Sequence, residues 1–452
     1  MEPEKEVSAV NTRYIRENII SSATVWGPLE FTGWQDEQMS WKEHCYVGDW
    51  SWLNEARIKG CDAEKFCSSL FVNTFSGFPA GTAKHGILCN HDGKVVGEGI
   101  LLKCGEGDIE WQGSVKGFGP ADRWIEYYFR KGHKGATLEN QTKLFKFQLS
   151  GPKSLYLLEK ATGESLRDIQ FMHFRSAAIH EVEVRLIRQG MAGEVGFEVQ
   201  GAKEYHDRVY DYIIGLGKEF GLRRLGSRSA MTNHLEACFP TITHDYIPAI
   251  FSEGERDFFK AYNGDINGDI SNRDNNIFAN FMKVKGSFDA DDISAWYRSP
   301  VELGWANRIK FDHDFIGRKA LETEIADPRR TIVTLEWNRE DIMDVYESHF
   351  RGGRPYDYMD IPRHMWFCMY ANEVLAGKEL VGITTSRTYS YYFRKVLSLC
   401  TIDIEYSKPG TAVTVVWGDP GSPQKPIRAT VARAPYKTDK RRTDLTALPE
   451  KI

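Results

Sequence analysis

The sequence predicts an α+β protein whose final part is a separate, β-rich domain. Three observations carry that expectation. At 452 residues the chain exceeds the roughly 250–300 residues at which a single core stops growing, so more than one domain is required. Strand and helix patterns alternate through the first 325 residues in two successive runs of the same grammar. From Ile332 onward the pattern is mostly strand.

The first run opens with an amphipathic stretch, Asp36 to His44, before the turn at Gly48-Asp49. Ala56 to Gly60 reads as a strand, followed by a helix to Leu70 that Asp62 is placed to cap. Strand signals follow at Gly86–Cys89, Val95–Leu102 and Ile109–Gln112, with Asn90-His-Asp-Gly93 as hairpin punctuation, and then a helical pattern over Ala121–Arg130. The second run has a strand over Leu144–Leu149, the turn Ser150-Gly-Pro152 and a helix over Ser154–Ala161. Strands at Val182–Ile187 and Phe197–Val199 precede a long helix over Glu204–Phe220. Residues 252–300 are rich in Asn, Asp and Gly and predict a surface excursion. After a helix near Gly317–Ile325 come strands at Ile332–Trp337, Val381–Thr385, Ser398–Ile404, Thr411–Trp417 and Ile427–Ala432.

Composition excludes several functional classes. A net charge of −5 lacks the basic excess of a nucleic-acid binder, and the dense cluster Lys437, Lys440, Arg441 and Arg442 reads as a solvated tail. The eight cysteines form no C-x-x-C pair and read as reduced thiols. The start of the chain is polar and no apolar run approaches ~18 residues, so a cytoplasmic protein without membrane contact is expected. No H-E-x-x-H or H-x-x-x-H pair supports a metal site, and no G-x-S-x-G, Walker A or complete G-x-G-x-x-G motif is present. Gly97-Glu-Gly99 sits inside an apolar strand, where paired glycines mark close backbone approach rather than a phosphate site.

Several segments nevertheless resemble, in order, the folate-dependent aminomethyltransferase (glycine cleavage T-protein) family. They are Gly93-Lys-Val-Val-Gly-Glu-Gly-Ile-Leu101, Leu149-Ser-Gly-Pro152, Gly193-Glu-Val-Gly-Phe-Glu-Val199 and Leu225-Gly-Ser-Arg-Ser-Ala-Met-Thr-Asn-His-Leu-Glu-Ala237. Further along come Glu302-Leu-Gly-Trp-Ala306, Asp314-Phe-Ile-Gly-Arg-Lys-Ala-Leu321, Val381-Gly-Ile-Thr-Thr385 and Lys408-Pro-Gly-Thr411. The resemblance implies a three-domain cloverleaf, with two intertwined α+β domains over residues 1–325 and a β-rich domain over residues 330–445. It also implies tetrahydrofolate as the cofactor. Pro300-Val-Glu-Leu-Gly-Trp305, Lys310-Phe-Asp-His-Asp-Phe-Ile-Gly-Arg318 and Leu397-Ser-Leu-Cys-Thr-Ile-Asp403 are most similar to aryl O-demethylases of that family. The implied substrate is a small methoxylated aromatic acid, and the implied products are 5-methyltetrahydrofolate and a phenol.

The resemblance also implies site residues. A pterin edge presents two adjacent N–H donors that one carboxylate can accept, and the family's G-[FY]-E motif puts Glu198 there. By strand alternation alone Glu198 would face solvent. Arg228 would neutralise the benzoyl-glutamate portion of the cofactor, and Glu236 would brace the structure. The family's catalytic aspartate falls on Gly97, leaving Glu98 beside it, so aminomethyl transfer is not expected. A methyl ether instead needs a donor to meet its departing oxygen. The demethylases' tyrosine falls on Ala230 and their histidine on Trp52 or Leu53, so the candidates here are His234, His244 and Tyr246; each could equally be structural. Trp26, Trp50 and Trp52 could stack on an arene or simply pack in a core. Two rival readings are a sulfonium or amine methyl donor, and a non-catalytic folate-binding protein. The latter carries K-G-C-[YF]-x-G-Q-E, whereas Lys59-Gly-Cys61 continues Asp-Ala-Glu-Lys.

Overall fold

The computed structural model describes residues 27–115, 119–132, 135–267, 282–363 and 368–451. Three β-structures organise them. A five-stranded antiparallel sheet has the order Thr82–Cys89, Val95–Gly105, Asp108–Val115, Leu53–Gly60, Ala136–Gln141. A six-stranded sheet has the order Arg223–Arg224, Tyr46–Asp49, Leu144–Ser150, Gly196–Ala202, Val182–Ile187, Phe174–Ile179, and only its first pairing is parallel. The two sheets share the early chain, because Tyr46–Asp49 joins the second and Leu53–Gly60 the first. The final strands close a barrel, in the order Arg330–Trp337, Lys395–Asp403, Glu379–Ser390, Asn372–Ala376, Ala412–Trp417, Lys425–Ala432.

Each sheet buries one face under helices. Alternating Ala56, Ile58, Ile109 and Trp111 turn inward onto the helices Ala63–Leu70 and Pro120–Arg130, whose Phe66, Leu70, Trp124 and Ile125 complete the core. The second sheet packs Phe145, Phe147, Leu149, Phe197 and Val199 against Leu155, Leu158, Val209 and Ile213 of the helices Ser154–Thr162 and His206–Gly217. Valines and tryptophans fill the barrel, chiefly Val333, Val374, Val415, Val431, Trp337 and Trp417.

Three expectations need correction. Residues 282–297 do not form a surface excursion: Met282, Val284, Phe288, Ile293, Trp296 and Tyr297 are buried in the first sheet's core beside Ile383 of the barrel. The polar composition of the segment hid these few large side chains, and burial follows the area each removes from water rather than the average. Asp62 occupies the residue before the Ala63–Leu70 helix but its side chain makes no capping bond. A helix over Arg339–Glu347, unforeseen, is capped by Asn338, whose side chain accepts from the Asp341 N–H at 3.1 Å.

The paired glycines behave as expected. A Cβ on Gly99 would run into the Gln112 carbonyl of the neighbouring strand, and one on Gly97 would lie 2.6 Å from the Ala121 Cβ of the Pro120–Arg130 helix. No helix among the described residues is long and apolar enough to cross a membrane.

Candidate active site

A cavity of about 1010 Å³ lies where the two sheets, the barrel and the C-terminal tail converge. The first sheet contributes Gly97, Glu98, Gly99, Ile100 and Gln112, and the second contributes Gln148 and Glu198. The end of the helix Ser227–Glu236 brings in His234, Thr331 and Ile332 come from the barrel, and Arg441 and Arg442 from the tail.

One part of the cavity lining is a frame of amides around a carboxylate. Glu198 is 5% exposed, because the Gly196–Ala202 strand is covered on both faces, so simple alternation misplaces it. Its carboxylate accepts from Gln189 Nε2 at 2.7 Å and from Gln200 Nε2. Gln200 and Gln112 exchange hydrogen bonds at 2.7 and 3.1 Å, which stitches the two sheets together beneath it. Burial raises the Glu198 pKa above the ordinary carboxylate value, with the Gln200 hydrogen bond and the Lys146 charge working against the rise. Lys146 is itself fully buried and paired with Glu55. Gln148 also lines the cavity, and its Oε1 is buried without a hydrogen-bond partner among the described residues. Together these groups leave one carboxylate and one spare amide oxygen for a ligand edge rich in N–H donors.

Another part of the lining is aromatic and carries imidazoles. Trp50 and Trp52, from the loop joining the two sheets, stand 5.9 Å apart, and the His234 ring lies 6.0 Å from Trp50. Neither ring nitrogen of His234 has a hydrogen-bond partner among the described residues, and burial lowers its pKa to about 4. His234 is therefore a neutral imidazole near pH 7, able to donate one hydrogen bond but poorly suited to delivering a proton. His244 also lines the cavity and is held by the Ile242 carbonyl, 3.2 Å from Nδ1.

Two expected residues stand elsewhere. Tyr246 is fully buried outside the cavity, edge-on to Trp305 with ring centroids 6.3 Å apart, and burial pushes its hydroxyl well above the ordinary tyrosine pKa. Arg228 does not line the cavity either: it is six residues before His234 on the same helix, about 9 Å along the axis at 1.5 Å per residue. Its Nε pairs with Glu30 at 3.2 Å. Trp26 lies outside the described residues. Glu236 is a fully buried brace, accepting from Trp41 Nε1 at 3.1 Å, Lys42 Nζ at 2.5 Å and Ser390 Oγ at 2.6 Å.

The basic tail is not simply solvated. Lys437 is buried against Glu194 at 2.6 Å, and burial lowers its pKa to about 8. The tail's backbone is tied down by Lys437 N–H to the Glu236 carbonyl and Lys440 N–H to the Gly193 carbonyl, both at 2.9 Å. This lays Arg441 and Arg442 on the cavity rim beside Arg308 and Lys310. Burial, then the charges of Arg442 and Arg441, lower the Arg308 pKa, and neither Arg308 nor Arg442 has an ion pair among the described residues. Arg441 is already paired with Asp439, at 2.9 Å through Nε and 2.8 Å through Nη2, so the cations this patch offers to carboxylates are chiefly Arg308 and Arg442. The clustered sequence showed these arginines but not that the tail folds back.

Comparison with known proteins identifies the family and the fold. The family model described as the GCVT N-terminal domain matches residues 14–251. The chain belongs to the GCVT family. The GCVT-family chain is 34% identical to sesamin methylene transferase of Sinomonas sp., over 93% of each chain. It is 30% identical to syringate O-demethylase of Sphingobium sp., over 90% of this chain and 89% of that one. Its fold is that of the glycine cleavage system aminomethyltransferase T from Bartonella henselae, with a TM-score of 0.66, 14% identity, and coverage of 94% and 95% of the two chains. It is an enzyme, a tetrahydrofolate-dependent methyltransferase by class.

Proposed function

We propose that this enzyme is an O-demethylase that moves a methyl group from a methoxylated aromatic acid to tetrahydrofolate, giving 5-methyltetrahydrofolate and a phenol. The observation that carries the reading is one cavity whose lining combines a buried, amide-framed carboxylate with aromatic rings and imidazoles. Glu198 would accept the paired N–H donors of the pterin edge, with Gln148 Oε1 available to a further donor. Arg308 and Arg442 would meet the glutamate carboxylates. At about 1010 Å³ the cavity stands at the top of the roughly 300–1,000 Å³ range for a single ligand, which suits cofactor and donor together. Bound tetrahydrofolate supplies the N5 amine as methyl acceptor.

The chain's own residues hold the two partners and keep water out. Trp50, Trp52 and Phe239 would cover the arene, and the neutral His234 would donate a hydrogen bond to an oxygen on it. The contact between Gly97 and Ala121 excludes a carboxylate where an aminomethyl donor would need one.

Purified enzyme with tetrahydrofolate and a panel of methoxybenzoates is expected to yield 5-methyltetrahydrofolate and the matching phenols. A second reading is favoured by the 34% identity to a methylene transferase: a methylene bridge between two aryl oxygens as the donor, detected as 5,10-methylenetetrahydrofolate. Turnover of a sulfonium or amine donor with no ether consumed would overturn both. Folate binding without transfer from any donor would leave a binding protein.

A further inference from the structure

Beside Gly97 the cavity wall carries a second pair of polar groups. His85 and Glu98 lie on adjacent antiparallel strands, where His85 pairs with Ile100 and Ile87 with Glu98, so their side chains are diagonal neighbours on one face. His85 Nε2 and Glu98 Oε2 are 2.8 Å apart, both side chains are largely buried, and both line the cavity. The ring is fixed from the other side by Trp305, edge-on with centroids 4.8 Å apart, and by Phe239 at 5.7 Å. Nδ1 has no hydrogen bond to any described residue.

We propose that His85, oriented by Glu98, is the proton donor to the departing aryl oxygen. Glu98 accepts the Nε2–H and stabilises the imidazolium, so Nδ1–H is the proton directed at the ligand. This rests on the O-demethylase reading. In the step, the N5 electron pair forms the new N–C bond while the C–O bond breaks with its pair on oxygen. Oxygen takes the Nδ1 proton and becomes the phenol; the proton lost from N5 returns through water to the imidazole. Charge and atoms balance with no further reactant. His234, deeply buried with its pKa lowered to about 4, is a poor source of that proton.

The test compares two donors, an unactivated methoxybenzoate and a nitro-substituted one whose phenolate leaves without help. His85→Gln is expected to slow the first by about 10²- to 10⁴-fold and the second by less than about tenfold, with tetrahydrofolate affinity unchanged. Glu98→Gln, a positioning change, should show the same selectivity at smaller size. Equal loss on both donors in both variants, with folate still bound, would assign the pair to packing and overturn the proposal. Wild-type enzyme inactive on both ethers would remove the O-demethylase reading itself and the proton donor with it; that result is read in the unmutated protein and so is distinguishable.

Discussion

Two parts of the cavity lining are built on opposite terms. Around Glu198 the side chains are bonded to each other before any ligand arrives: Gln189 and Gln200 hold the carboxylate, and Gln200 is held by Gln112. Around His234 an imidazole is buried with both nitrogens unpartnered among the described residues, close to the rings of Trp50 and Phe239. A preformed, mutually hydrogen-bonded part fits a ligand that is always the same, since little reorganisation remains at binding. A part lined by ring faces and an unsatisfied polar group can accept donors that differ in shape, provided each brings a hydrogen bond.

That contrast can be broken most decisively at Glu198. Glu198→Ala should weaken tetrahydrofolate binding by on the order of 100-fold or more, the worth of two charge-assisted hydrogen bonds, while affinity for the methyl donor changes little. Calorimetric titration of each ligand checks both halves. The same carboxylate sets a pH dependence. Its pKa is raised by burial, so the ionised acceptor is lost as pH falls through that raised value, and binding should weaken at a higher pH than the ordinary carboxylate value of 4.5 would give. Binding that stays flat on acidification to about pH 4 would contradict the assignment.

Next in size is the strand–helix contact at Gly97. Gly97→Asp should cost about 1–3 kcal/mol of stability through overpacking against Ala121, and Ala121→Gly in the same chain should recover most of it. Thermal melts of the two single variants and the double variant measure the coupling. Smaller still is the rim: Arg441→Ala with Arg442→Ala should weaken folate binding several-fold, an effect that shrinks as salt is added. Arg228→Ala should change folate affinity by less than about twofold, because its partner is Glu30 and not the cavity. A tenfold loss there would return Arg228 to the cofactor.

Much of the framework was legible because its signals are local. Val95–Leu102 is a run of mostly apolar and glycine residues, Ile427–Ala432 alternates, and Asn90-His-Asp-Gly93 forms the turn its residues favour. Ala121–Arg130 was readable as a helix, and Pro120 adds the first turn. What failed was whatever depends on a distant surface. Trp296 is buried because the first sheet and the barrel meet over it, which no property of residues 252–300 announces. Arg441 and Arg442 read as tail because only Glu194, Glu236 and Gly193, some two hundred residues earlier, bring them to the rim. Glu198 was singled out by its flanking motif and lines the cavity, whereas His85 has no such motif and draws notice only once strand pairing sets it beside Glu98.

The closeness of Gly97 to Ala121 also bears on how such a wall can change over generations. Restoring a carboxylate at position 97 is not a single-residue matter, since the helix must first yield room through position 121. The order is one-way: a glycine at 121 is tolerable alone, costing at most about 1 kcal/mol of helix propensity, while an aspartate at 97 alone meets a methyl group. A laboratory attempt to place a carboxylate at position 97 would do well to open the helix before charging the strand.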